Sequence, residues 1–204
     1  MAHALFKKLG VKETKDILSS INGHAELSNF KPEQTIIMAQ GLSFYPGFRL
    51  LDISDMTTIP EKRIYALVSD KHESILLDYT NEPIYAANED APIRLDTGVV
   101  ADYVRFFFNF VRGAYGRFVL AESLDDIRWQ EEPPLNARKA IAKMLTPLTL
   151  LERLPENYIM EAGFIFRDSL IKAKLDIDHK GKIRMYDEEI IIEDMPIMDE
   201  DLNL

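Results

Sequence analysis

The chain has 204 residues, 47% hydrophobic and 28% charged, which suits one sizeable domain or two small ones of ordinary globular composition. It contains no cysteine, which excludes disulfides, thiolate nucleophiles and cysteine metal sites. The net charge is −10, and the stretch from Asp187 to Leu204 contains eight acidic residues and no basic one. Nucleic acid is not an expected partner, because phosphate binding needs clustered Lys and Arg.

The first part of the chain is predicted to form one helix followed by antiparallel strands. Glu13–Ile21 has the apolar spacing of a short helix, whereas Gln34–Gln40 fits either a helical turn or a strand. The strand-like runs that follow are Phe48–Ile53, Arg63–Ser69, Ser74–Tyr79 and Pro83–Ala86. The short turns between these runs favour antiparallel pairing, since parallel crossovers need a dozen or more residues.

The aromatic and glycine-containing stretch Gly41–Leu51 precedes these strands and has two interpretations. It forms either a turn that leads into a strand or a loop that closes over a cavity.

Asp96–Arg112 has the clearest helical pattern in the chain. Its polar positions follow at spacings of three, four and three, namely Asp102, Arg105, Asn109 and Arg112. At about 100° per residue, these four lie within one stripe of roughly 80° of arc. A strand would place Asp102 and Arg105 on opposite faces, so the pattern predicts a central apolar helix from about Thr97 to Arg112.

The triplet Asp96-Thr97-Gly98 matches the motif that carries the catalytic carboxylate of aspartic proteases. That motif lies in a loop between strands and needs a second copy from the same chain or a dimer mate. A helix directly after the triplet contradicts this geometry. We therefore predict that Asp96 caps the helix and that Gly113, just past the end, takes a left-handed conformation.

The predicted helix also offers a candidate ligand pocket. Its phenylalanines fit core packing, but the helix could also border a cavity or bind an anion through its arginines. The residues of this possible pocket or anion stripe are Tyr103, Arg105, Phe106, Asn109, Phe110 and Arg112.

The second part of the chain is predicted to begin with a strand in Gly116–Ala121 and a helix from Pro134 to about Leu145. Strands at Leu148–Leu154 and Tyr158–Arg167 and a final hairpin complete it. The break at 131–134 is the only candidate domain boundary. Since the pieces on either side look too short to stand alone, we expect one domain spanning residues 1–204.

The stretch from Asp176 to Asp187 resembles a calcium-binding loop in its spacing of acidic residues and glycine. Lys180 stands where a ligand oxygen belongs, and the flanking residues alternate as in a strand. The stretch therefore predicts a hairpin with Gly181 in the left-handed position. In this register Asp178 faces Lys182 and Asp176 faces Arg184.

The acidic tail, about residues 195–204, has two interpretations. Ile190–Ile192 are expected to finish the last strand, and Pro196 cannot continue a strand ladder. The remaining residues form either a solubilising end or a docking peptide whose acidic residues steer it toward a basic surface. The candidate docking residues are Ile197, Met198, Leu202 and Leu204.

Together these patterns predict an α+β fold with mainly antiparallel sheets around a central apolar helix and a C-terminal β-hairpin. No apolar run reaches the length of a signal peptide or a membrane span, so a soluble, cytoplasmic protein with no membrane contact is expected. The four histidines lack metal-ligand spacing, and no metal or cofactor is expected.

The absence of catalytic motifs favours a non-catalytic binding or adaptor protein over an enzyme. We expect a protein partner or a homo-oligomer. The alternative is a small-molecule binder or enzyme with an aromatic-lined pocket beside helix 97–112.

Overall fold

A computed structural model describes residues 6–21, 30–71, 73–91 and 93–198. Within these ranges the chain forms four α-helices and ten strands, paired antiparallel in two sheets, which confirms the predicted α+β class. The helices are α1 Val11–Ile21, α2 Glu82–Asp90, α3 Val100–Phe110 and α4 Leu135–Met144. The strands are β1 Lys7–Lys8, β2 Thr35–Gly41, β3 Phe48–Asp55, β4 Lys62–Ser69, β5 Ser74–Leu77, β6 Phe118–Leu120, β7 Thr149–Arg153, β8 Asn157–Phe166, β9 Ser169–Asp178 and β10 Ile183–Ile192.

The chain divides into two compact units. The first comprises Met1–Asp78 and Glu82–Arg94, and the second comprises Tyr79–Asn81 and Leu95–Leu204. The candidate boundary at 131–134 lies inside the second unit. That both units act as one domain stays a prediction. In the ranges that the structure describes, no helix combines the length and the apolar character needed to cross a membrane.

The first unit is a five-stranded meander, in which β1 to β5 pair in chain order. In this register Ile53 stands opposite Ile37 on one side and Ile64 on the other. Helix α1 covers one face of the sheet through Ile17, Leu18 and Ile21. The sheet side of this core consists of Ile37, Ala39, Leu51, Ile53, Ala66 and Val68. The segment Gln34–Gln40, ambiguous in sequence, forms a strand from Thr35 onward, in which buried and half-buried residues alternate.

The predicted strand at Pro83–Ala86 is wrong, because these residues belong to helix α2. Ile84, Ala87 and Asn88 are buried at helical spacing. Pro83 lies in the first turn, where a backbone N–H has no intrahelical partner to lose.

The connection from β2 to β3 confirms that Gly41–Leu51 contains a turn leading into a strand. Phe44 and Tyr45 in this turn are buried, with exposed fractions of 2% and 1%. The Tyr45 hydroxyl bonds to the Asn88 side chain of α2. These contacts hold the turn against the helix.

The second unit contains a sheet in the order β10-β9-β8-β6, with β7 also paired to β8. Strand β6 pairs with the C-terminal half of β8 and β7 with its N-terminal half. Between them, Gly163 donates its N–H to the Thr146 carbonyl at 2.6 Å and accepts from the Ala121 N–H at 3.0 Å. A Cβ on Gly163 would lie 3.2 Å from the backbone of Thr146, so a larger residue would crowd this crossing.

Helix α3 packs on this sheet, as predicted for the central apolar helix. The Phe108 and Phe164 rings lie 4.8 Å apart, and the Tyr103 hydroxyl donates to the Gly181 carbonyl at 2.5 Å. The prediction of a left-handed Gly113 is wrong, since the positive φ of 133° belongs to Gly116. Glycine is favoured at 113 because a Cβ there would lie 3.2 Å from the Gly116 carbonyl oxygen, which is a tight contact.

The C-terminal hairpin has the predicted register. Ile183 pairs with Ile177 and Arg184 with Asp176, and Gly181 has a φ of 74°. Strand β10 ends at Ile192, as predicted for the isoleucine run.

Candidate functional site

Asp96 caps the turn that leads into α3. Its carboxylate Oδ1 accepts from the N–H groups of Gly98 and Val99 at 2.6 and 3.1 Å, and its carbonyl accepts from the Val100 N–H at 3.0 Å. The prediction that Asp96 is the N-cap of the helix is wrong, because α3 begins at Val100 with Val99 at its N-cap and no side-chain cap bond. Asp96 instead closes the turn before the helix. The Asp-Thr-Gly triplet is thus accounted for by local backbone hydrogen bonds.

Arg105 of the predicted anion stripe is engaged by neighbouring carboxylates. Its Nε and Nη2 bind the two oxygens of Glu122 at 2.7 and 2.8 Å, and its Nη1 lies 3.3 Å from Asp102. The hydrogen bond to Glu122 raises the pKa of Arg105, which favours the charged guanidinium in this pair. An incoming anion would have to displace a bidentate carboxylate.

Arg112 lies beyond the end of α3 and contacts Tyr79. Its N–H donates to the Tyr79 carbonyl at 2.9 Å, and its guanidinium carbon lies 4.2 Å from the centre of the Tyr79 ring. Tyr79 has a φ of 67°, a conformation that is uncommon for a bulky residue. The Nε of Arg112 is buried and has no hydrogen-bond partner among the described residues. The Arg112 Nε–H is therefore a buried hydrogen-bond donor without an acceptor.

The aromatic residues of the candidate pocket are packed. The ring centres of Phe106 and Phe110 lie 5.2 Å apart, and both side chains are less than one tenth exposed. Tyr103 is buried and its hydroxyl already bonds to Gly181, whereas Asn109 is exposed. These contacts favour the core-packing interpretation, and a ligand pocket beside the helix stays a prediction.

The hairpin that resembles a calcium loop uses its carboxylates internally. Asp178 accepts from the N–H groups of Lys180 and Lys182 at 2.9 and 2.8 Å, and Asp176 pairs with Arg184 at 3.0 Å. The predicted pairing of the Asp178 carboxylate with the Lys182 side chain is replaced by these backbone bonds. Within the described part of the chain, no group of three His, Asp or Glu side chains is placed to hold a metal ion.

The start of the acidic tail belongs to the core of the second unit. Ile197 is only 5% exposed and belongs to a buried apolar cluster. Trp129 packs against this cluster and forms an isolated β-bridge with Ile197. The Met198 N–H donates to the Arg128 carbonyl at 2.8 Å, and the Gln130 side chain donates to the Ile197 carbonyl at 2.9 Å. Ile197 is thus held inside the fold and is not exposed for docking.

Of the other predicted docking residues, Met198 is 47% exposed. Leu202 and Leu204 lie outside the described residues. The docking role of the tail stays a prediction, and it applies from Met198 onward.

The tip of the β3–β4 hairpin was missed by the sequence reasoning. The segment from Asp55 to Lys62, called here the hairpin tip, exposes Ile59 completely (101%) and Met56 by 58%. The only signal in the sequence was two apolar residues between turn-forming ones. Whether such residues face solvent or the core depends on the strands that hold them.

Hydrogen bonds order the hairpin tip. The Asp55 carboxylate accepts from the backbone N–H and the hydroxyl of Thr57 at 2.9 and 2.6 Å, and these bonds lower the pKa of Asp55. The Lys62 N–H donates to the Thr58 hydroxyl at 3.0 Å, which links the middle of the tip to its last residue. The two apolar side chains are therefore carried on an ordered backbone.

Comparisons with protein-family models, with curated proteins and with solved structures found no match to this chain.

Proposed function

We propose that this chain is a non-catalytic binding protein whose partner is another protein. The observation that carries the proposal is the hairpin tip, on which Met56 and Ile59 are held in solvent. Fully burying a side chain of this size contributes roughly 1.5–3 kcal/mol. Burial of both side chains in a pocket of the partner would therefore contribute favourably to the free energy of binding.

The order of the hairpin tip supports a binding role. A flexible loop loses conformational entropy when it binds, and a loop that is already ordered avoids most of that loss. The bonds from Asp55 to Thr57 provide this order before any partner arrives. The tip thus combines exposed apolar surface with a shape that is fixed before binding.

The proposal is tested by affinity capture from native lysate with Met56 and Ile59 both changed to serine. We expect the partner recovered by the wild-type chain to be lost. The matched control is Val11→Ser, which removes an apolar side chain that is 73% exposed on α1. Asp55→Ala removes the hydrogen bonds to Thr57 but keeps the apolar side chains of the tip, and it should reduce the amount of partner recovered. Equal recovery by the wild-type and double-serine chains would contradict the proposal.

The alternative, a small-molecule binder, is favoured by one observation, the unfilled buried Nε of Arg112. A small anion could accept from this donor. Inorganic phosphate should then raise the melting temperature of the wild-type chain and not that of Arg112→Met. The control is Arg153→Met on exposed strand β7. A phosphate response that survives Arg112→Met would reject this alternative.

A further inference from the structure

Helix α4 is covered on one side only. Its half-buried residue Ile141, with Leu145 just beyond the helix, packs against the cluster that contains Ile127 and Ile197. None of its ten residues is buried. An isolated helix of ten residues is marginal in water, and helices usually gain their stability by burying an apolar stripe. The uncovered side of α4 is therefore a candidate contact surface.

The uncovered side, called here the α4 face, consists of two neighbouring ridges at i, i+4 spacing. The first ridge is Leu135, Lys139 and Lys143, and the second is Asn136, Ala140 and Met144. All six residues are exposed, with Leu135 at 67% and Met144 at 46%. The small side chain of Ala140 lies at the middle of the second ridge and allows a partner backbone to approach closely.

The charge of the α4 face is uncompensated. Lys139 and Lys143 form no ion pair with any described residue, and α4 contains no acidic residue. Arg138, on the covered side, pairs with Glu132. The two lysines of the face are therefore available to acidic groups of a partner, on a chain whose net charge is −10.

We propose that the α4 face docks an acidic segment of a partner protein that also carries leucine-type apolar side chains. Acidic residues complement Lys139 and Lys143, and apolar residues cover Leu135 and Met144. Leu135 and Met144 lie at opposite ends of the face, nine residues apart, or about 13 Å along the helix. This inference rests on the proposed function in that the partner is a protein. It uses a different surface in the other unit, so that the chain has the two contact surfaces of an adaptor.

The test measures fluorescence anisotropy of a labelled helical peptide of Glu, Ala and Leu, with a peptide that has Lys in place of Glu as the control probe. The full-length chain should bind the acidic peptide saturably and less tightly as salt rises, because exposed charges are screened over about 8 Å at physiological ionic strength. Changing Lys139 and Lys143 to Glu should weaken binding about tenfold or more. The matched control changes Lys12 and Lys15, exposed on α1, to Glu and should bind as the wild type does.

A second variant, Ala140→Gln, adds bulk to the face without changing its charge or breaking the helix. It should weaken peptide binding while the circular dichroism spectrum and the melting temperature stay near those of the wild type.

Several results would overturn the inference. The first is no saturable binding of the acidic peptide, and the second is equal binding of the lysine peptide. Light scattering gives the molar mass in solution. If the wild-type chain has the mass of a dimer and the Lys139/Lys143 variant that of a monomer, the occupant of the face is a second copy of the chain. Peptide binding seen only after truncation at Met198 would make the chain's own C-terminal residues the occupant. The hairpin tip variants do not alter this face, so failure here leaves the proposed function standing.

Discussion

Replacing Ile197 by alanine tests whether the start of the acidic tail is part of the folded core. Ile197 is 5% exposed and lies in the same cluster as Ile127, Ile165 and Leu170. The substitution removes apolar carbons from this cluster and leaves space that the neighbours fill only in part. The change therefore lowers the free energy of unfolding of the second unit.

The expected magnitude follows from the burial of Ile197. Isoleucine-to-alanine changes in cores cost about 2–5 kcal/mol, and we expect the lower part of this range because Ile197 lies outside the regular strands and is paired only by an isolated bridge. With a urea dependence of about 1–3 kcal/mol per molar, a loss of about 2–3 kcal/mol lowers the unfolding midpoint by about 0.7–3 M.

The assay is urea unfolding followed by tryptophan fluorescence. Trp129 is the only tryptophan and packs against the cluster of Ile197, so its signal reports on this part of the second unit. The matched control is Met198→Ala, at a neighbouring position that is 47% exposed, where we expect a change within about 0.5 kcal/mol. Equal midpoints for both variants would refute the assignment of Ile197 to the core.

Four further predictions concern single contacts. Asp96→Ala should lower the free energy of unfolding by about 0.5–1.5 kcal/mol in urea, since it removes the hydrogen bonds that hold the turn before α3; no change would refute their contribution. Because the pKa of Asp55 is lowered by Thr57 in the folded chain, its stabilisation is complete above the unfolded pKa of about 4 and is lost as the pH falls through the folded value. Thermal melting followed by circular dichroism should then show a larger difference in stability between wild type and Asp55→Ala at pH 7 than at pH 3. An equal difference at both pH values would count against a stabilising Asp55 carboxylate. Calcium should leave the melting temperature unchanged, since the Asp178 carboxylate bonds to its own turn, and a rise would revive the calcium loop. Gly163→Ala should cost about 1–3 kcal/mol by crowding the backbone opposite, and unchanged stability would contradict the close approach.

The fold class could be predicted because most elements carry their own periodic pattern. The alternation in β9 and β10 determined their register, since a shift by one residue would have turned charges toward the core. The pattern failed at Pro83–Ala86, where four residues were too few to separate a strand from a helix. The helical spacing of Ile84, Ala87 and Asn88 becomes visible only over the longer segment.

The candidate surfaces could not be predicted in the same way, because exposure depends on tertiary packing. Ile197 and Ile59 are both apolar residues beside prolines and turn formers, yet one is buried and the other fully exposed. The sequence reasoning placed Ile197 in a docking tail and passed over Ile59. Similarly, the pairing of Arg105 with Glu122 joins residues far apart in sequence and has no local signal.

Photo-crosslinking at position 59 tests the central claim, that the hairpin tip contacts a protein partner. A photoreactive phenylalanine derivative replaces Ile59, and the matched control places it at exposed Lys15 on α1. Irradiation in native lysate should yield one discrete species of higher mass from position 59 and none from position 15. Labelling at position 59 that is absent, or no stronger than at position 15, would contradict the claim.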